Sequence, residues 1–206
     1  VFVRTRPSTA DPVEVVRGLV ADGCAVAFEQ LPGDDVAARL TDSGLAPHCE
    51  VTLDVDRLGP ALVRDLVAAS GMPVALSGPA AAVDGLARDL PGVRVVVRAE
   101  EPLAEARCRT LSDRRVRLVA GRRAADRTFV RCLTILMAGD GHAGIAASSP
   151  RLIAIAGERA AWNGRSPDSW EHVLPYRVRT EEQQRLVAGG YAVRVVLTAG
   201  RTGGGR

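Results

Sequence analysis

The chain has no lysine: all 27 of its basic residues are arginine. Schiff-base chemistry, a P-loop lysine and a lysine acid or base are therefore excluded. Aromatic residues make up only 3% of the 206 positions, too few to stack successive bases of single-stranded nucleic acid. The four cysteines, Cys24, Cys49, Cys108 and Cys132, stand 24 or more positions apart, so no C-x-x-C element exists for a zinc site or redox pair, and they read as buried thiols. Of the three histidines, His48, His142 and His172, only the first lies beside other ligand types, in His48-Cys49-Glu50. Neighbours on a strand point to opposite faces, so no metal site is expected there. No apolar run approaches the ~20 residues of a membrane-crossing helix. No charged-then-apolar leader opens at Val1, and a cytoplasmic protein is expected. The arginines are interleaved with 24 acidic residues at a net charge of +3, which marks neither a nucleic-acid face nor a membrane-surface segment.

What the chain does have is 47% hydrophobic content at single-domain length, spread as β-branched runs that alternate with stretches of helical period. Eight runs predict strands: 24–30, 50–55, 73–78, 93–99, 116–122, 143–148, 172–178 and 192–199. Helices are announced between them. Asp11-Pro12 is an N-cap with a first-turn proline, and Gly23 closes that helix, 11–23. Leu58, Leu62, Val63, Leu66 and Val67 form one apolar face; Phe129, Leu133, Leu136 and Met137 form another before Gly139; Ser149-Pro150 starts a helix through Ile155. Thr180-Glu181-Glu182-Gln183 has the form of a capping box. Shorter helices are expected over 34–44, 80–90 and 102–111.

Eight strand–helix units without a low-complexity linker predict a single domain, 1–206, folded as a (β/α)8 TIM-type barrel. The alternative is an open doubly wound sheet, which needs fewer strands. Such barrels typically take ~250 residues, so this version is compact. It is expected to carry an extra N-terminal helix and to lack the last helix, because 200–206 is glycine-rich and reads as a flexible tail. The outer face of the eighth strand, with Val193, Val195 and Leu197, then needs a cover. That cover is either the N-terminal helix, through Val15, Val16 and Leu19, or a second protein.

Several segments resemble the proline dehydrogenase family in its actinobacterial form: Val116–Gly121, Phe129–Gly141, Pro150–Ile155, Asn163–Ser169, Glu181–Leu186 and Val193–Val195, with weaker likeness over Leu19–Gly23, Ser43–Pro47 and Glu50–Leu53. The resemblance implies a flavin-dependent (β/α)8 fold that oxidises proline. The family's site residues, placed on this chain, are mostly replaced. Asp54 stands where the second strand's V-x-V-K-L-S has lysine, and Ser77 where the third strand has aspartate. Val97-Arg98-Ala99-Glu100 stands for L-Q-A-Y, and Val119-Ala120-Gly121-Arg122-Arg123 for V-K-G-A-Y. Ala147-Ser148-Ser149-Pro150 lacks the histidine of S-H-D-P, and Glu171 and Tyr176 alone persist from E-x-Q-M-L-Y-G. No counterpart is expected for the eighth helix, with the arginines that hold the proline carboxylate in the family.

The resemblance with these departures implies a catalytically degenerate, shortened homologue, a pseudoenzyme without FAD or metal. Its expected role is a non-catalytic, stabilising partner of another enzyme in a heteromeric complex of amino-acid-derived secondary metabolism. The alternative is a repurposed barrel enzyme acting without flavin on an anionic or proline-like substrate; residual proline oxidation stands third. Arg98, Arg122 and Arg123, at adjacent strand ends, form either an anion pocket or ion pairs with Glu100, Asp54 and Asp56. Glu171, Tyr176, Asp54 and Ser77 are the candidates for a relic or repurposed site. Val193, Val195, Leu197, Trp162 and Trp170 are the candidate interface residues, the tryptophans being either anchors or a packed corner.

Overall fold

A computed structural model describes residues 11–30 and 32–198; the expected tail at 200–206 lies outside them. Eight parallel strands close into a barrel in chain order. They are β1 (Cys24–Phe28), β2 (Cys49–Asp54), β3 (Val74–Ser77), β4 (Arg94–Arg98), β5 (Val116–Val119), β6 (Ala143–Ala146), β7 (Trp170–Pro175) and β8 (Val193–Leu197). Closure is made by β8 against β1, with Cys24 opposite Val193 and Phe28 opposite Leu197. That pairing excludes the open sheet. The helices are α1 (Pro12–Ala21), α2 (Asp34–Asp42), α3 (Val55–Leu58), α4 (Pro60–Ala69), α5 (Ala80–Asp89), α6 (Ala104–Thr110), α7 (Asp126–Ala138), α8 (Pro150–Trp162) and α9 (Thr180–Ala188). Among the described residues no helix is long and apolar enough to cross a membrane.

Helix α1 forms as its caps dictate: the Asp11 carboxylate accepts the Val13 N–H at 3.2 Å ahead of Pro12. Its buried face, Val13 and Val16, packs with Val26, Phe28 and Leu197. Val193 and Val195 pack with Ile153 of α8 and Leu186 of α9. The outer face of β8 is thus covered within the chain, and Val193, Val195 and Leu197 are all buried. The expectation that these three present an open interface is corrected: α1 covers Leu197, and α8 and α9 cover Val193 and Val195.

Three local expectations also change. The apolar face over 58–67 is broken, because Gly59 at φ 77° ends α3 and Pro60 opens α4, which turns Leu62 to 46% exposure while Val63 is buried. No capping box forms. Arg179, left-handed at φ 55°, precedes α9, and the Gln183 amide instead donates to the carbonyls of Pro175 at 3.1 Å and Val178 at 3.0 Å. Strand β7 begins at Trp170, two residues before the expected His172, which carries Trp170 and Glu171 into buried positions.

Two stretches of the blocks that carry the family resemblance, 139–141 and 163–169, are loops leading into β6 and β7 at the N-terminal face of the barrel, where a TIM barrel keeps its stability rather than its chemistry. Arg165 ties the two loops there. Its Nη2 donates to the carbonyls of Gly141 and Ser169, each at 2.6 Å, its Nε donates to Ser169 Oγ at 3.0 Å, and its Nη1 donates to the Gly139 carbonyl. Inside the barrel, Gly144 on β6 leaves room for a side chain: a Cβ there would stand 2.5 Å from Arg94 Nη1. Gly144→Ala will therefore destabilise by about 1–3 kcal/mol through overpacking, and a thermal melt will fall by roughly 2–4 °C per kcal/mol. An unchanged melt would mean that Arg94 is free to move.

Candidate functional site

Strands buried on both faces usually run as unbroken apolar segments. Here five of them carry one charged residue inside such a run: Glu50, Arg94, Arg117, Glu171 and Arg194, all buried. They meet across the lumen. Arg94 Nε donates to Glu50 Oε2 at 2.8 Å, and Arg117 Nη2 bonds Glu50 Oε1. Arg94 Nη2 and Arg194 Nε each lie 2.9 Å from Glu171 Oε1. Arg194 Nη1 donates to the Val26 carbonyl at 2.8 Å, and Arg117 Nη1 to Thr52 Oγ1 at 3.2 Å. Side chains from β2, β4, β5 and β7 can touch only through the interior, so this network replaces part of the branched aliphatic filling of a TIM barrel.

Burial pushes the Glu171 carboxyl up, but Arg94 and Arg194 outweigh it and hold it at about 2. Burial first, and then Arg194, brings the Arg117 guanidinium down to about 10. Glu171 is second in β7 and locked in this network, so the expectation of a mouth carboxylate there is corrected. The signal that exposes the network in sequence is a lone charge inside a valine-rich strand, with both signs represented: Val93-Arg94-Val95, Val116-Arg117-Leu118 and Val193-Arg194-Val195 against Glu50 and Glu171.

Above the network, the inward positions are small: Ala27, Ala75, Val96, Val119, Ala146, Val173 and Val196 form one apolar cluster. They leave a cavity of about 400 Å³ at the C-terminal ends of the strands, with Glu29, Thr52, Asp54, Arg57, Ser77, Arg98 and Arg117 among its lining. That is where TIM barrels carry their sites. Asp54 lines it, but its Oδ1 accepts the N–H groups of Asp56 at 3.0 Å and Arg57 at 3.2 Å, capping α3. Ser77 Oγ donates to the Leu53 carbonyl at 3.4 Å.

The other residues singled out in sequence lie elsewhere. Only Arg98 of the three arginines reaches the mouth. Arg122 lines an outer groove of about 950 Å³ beside α6, where its backbone N–H donates to Glu100 Oε2 at 3.3 Å, and Arg123 is exposed in the short 3-10 turn Arg123–Ala125. Of the two alternatives for these arginines neither is met: they do not share one pocket, because Arg122 and Arg123 follow the end of β5 on its outer side, and among the described residues none of them forms a side-chain ion pair with Glu100, Asp54 or Asp56. Tyr176 follows β7 but packs outside the barrel near α1 and α9, with the Arg177 guanidinium 5.2 Å from its ring centre. Trp170 is a packed corner, edge-to-face with His172 at 4.5 Å and Tyr191 at 5.9 Å, while Trp162 stands 83% exposed at the end of α8. All four cysteines are free and buried, and among the described residues no group of His, Cys, Asp or Glu could hold a metal. His48 ends the turn before β2, His142 precedes β6 and His172 lies in the aromatic corner, so none lines the mouth. The mouth can bind charge through guanidinium and hydroxyl donors, and it has carboxylates but no imidazole or thiol.

No protein-family model matches the chain, and no curated protein does. Solved structures do match. Proline utilization A (PutA) from Bdellovibrio bacteriovorus, inactivated by N-propargylglycine, aligns at a TM-score of 0.75 and 12% identity over 92% of this chain and 29% of that one. A point mutant of PutA from Bradyrhizobium japonicum aligns at 0.64 and 14% identity over 85% of this chain and 26% of that one. The chain spans under a third of the length of these neighbours. Identity at this level speaks for architecture alone, and the architecture is a closed (β/α)8 barrel like the matched part of these PutA chains.

Proposed function

We propose that this is a catalytically degenerate proline dehydrogenase-like barrel, a pseudoenzyme that serves as the non-catalytic partner of another enzyme in amino-acid-derived metabolism. One observation carries the reading: the mouth is lined by guanidiniums, carboxylates and hydroxyls, with the candidate groups for chemistry committed elsewhere. Asp54 caps a helix, Glu171 is locked in the buried network and Tyr176 lies outside the barrel. These residues do not fit a flavin dinucleotide. A cavity of about 400 Å³ sits at the low end of the ~300–1,000 Å³ typical of small-molecule pockets, and FAD needs more. The four buried, unbridged thiols support a reducing, cytoplasmic setting.

The protein purified from cells and incubated with FAD is expected to show no bound flavin spectrum and no proline-dependent dye reduction; stoichiometric yellow protein would sink the reading. For the partner role, co-expression with the proteins encoded beside it is expected to give a co-eluting complex whose activity or solubility falls when this chain is omitted. A chain that runs alone and changes neither leaves the second reading, a repurposed flavin-free enzyme. The open arginine-lined mouth is the observation in favour of that second reading.

A further inference from the structure

The charges inside the barrel do not balance. Three guanidiniums, of Arg94, Arg117 and Arg194, share two carboxylates, of Glu50 and Glu171, all of them buried. A net positive charge in a low-dielectric interior is costly unless a counter-charge lies nearby. Arg117 links this network to the cavity above it. It is 4% exposed, it lines the mouth, and its Nε has no hydrogen-bond partner even though its other two nitrogens are engaged. With Arg94 Nη1 also unpaired, the interior holds more guanidinium donors than its two carboxylates satisfy, and this excess of positive charge lies beneath the floor of the cavity. Two more arginines line the same cavity, Arg57 and Arg98, and neither forms an ion pair among the described residues. Thr52 and Ser77 place hydroxyls beside them. The opposing charges at the mouth are Glu29 and Asp54, and Asp54 already spends one oxygen on the start of α3.

From this arrangement we infer that the barrel mouth is a binding site for a compact oxyanion, a small molecule whose carboxylate or phosphate group is held by Arg98 and Arg57 over Arg117. The forked guanidinium donors match the planar oxygens of either group. The cavity volume favours a ligand of a few carbon atoms. This site is independent of the partner reading, since a pseudoenzyme can bind a ligand that it does not convert.

The test is calorimetric titration of the full chain at constant ionic strength, with inorganic phosphate in one arm and glutarate in the other. One-to-one binding is expected in at least one arm, and the tighter arm identifies phosphate or carboxylate as the recognised group. Arg98→Ala is expected to weaken that binding about tenfold or more, as loss of a charge-assisted hydrogen bond does. Arg122→Ala, on the outer groove, is expected to leave it unchanged. Arg98 is exposed at a strand end, so its removal spares the fold, and matching thermal melts check this. Absence of binding in both arms at millimolar concentration overturns the inference, and so does equal weakening by Arg98→Ala and Arg122→Ala, which would mark general surface charge.

Discussion

Replacing Glu50 by alanine is expected to remove about 3–5 kcal/mol of stability, the usual cost of breaking a buried ion pair from one side. Glu50 is fully buried and is the carboxylate shared by Arg94 and Arg117. Without it, two guanidiniums face each other inside the barrel and Glu171 must serve three arginines. Domains have net stabilities of ~5–15 kcal/mol, so the variant will be marginal or unfolded at ambient temperature. Urea unfolding monitored by far-UV circular dichroism checks this. Glu50→Gln keeps the shape and loses the charge, so a comparable loss there assigns the effect to electrostatics rather than to a cavity. A loss below 1 kcal/mol in both variants would show that water enters the lumen and solvates the arginines.

Acidification is expected to unfold the protein from pH 6.5 downward. Burial in the aromatic corner lowers His172 from 6.5 to about 4, so in the folded state it stays neutral while the unfolded chain takes up a proton. The unfolded state then binds more protons, and stability, complete above pH 6.5, falls with pH by about 1.4 kcal/mol per unit until about pH 4. His142 is shifted to about 4 as well, by burial first and then by Arg94, and contributes less because solvent screens it. Below pH 4.5 Glu171 adds to the loss. Its folded value of about 2 lies under that of the unfolded chain, so its share is present above pH 4.5 and disappears as pH falls toward 2. Urea midpoints at pH 7.5, 6, 5 and 4 are expected to decline steadily, and His172→Gln is expected to flatten the decline between 6.5 and 4. A midpoint constant from pH 7.5 to 5 would mean that His172 is protonated in the folded state.

The barrel was legible in the chain because its signals are local. Valine-rich runs, N-caps such as Asp11 and stops such as Gly23 depend on neighbours within one turn, and eight of each kind of unit point to one closed sheet. The capping box at Thr180 failed for a reason equally local but invisible in composition: Arg179 takes a left-handed conformation, and Gln183 turns to two loop carbonyls. The candidate site was read from strand ends, and there an error of two residues decides the answer. Asp54, Ser77 and Arg98 do line the mouth, whereas Glu171 falls near the start of β7 and Arg122 has already left the barrel.

By itself the sequence determined the alternation of strands and helices, the number and order of the strands, and the chemistry that no residue is present to perform, because each of these follows from residue types and short-range periodicity. Only the tertiary structure decided which side chains face one another. A parallel strand buried on both faces shows no polar alternation, so apart from a lone charge such as Arg94 or Arg117 nothing local tells a lumen position from one under a helix, and the charge does not name its partner. Glu50 finds Arg94 and Arg117 at separations of 44 and 67 residues, and α1 covers β8 from the other end of the chain. Those contacts exist because eight strands close into a cylinder, and closure is a property of the whole sheet that no segment of it contains.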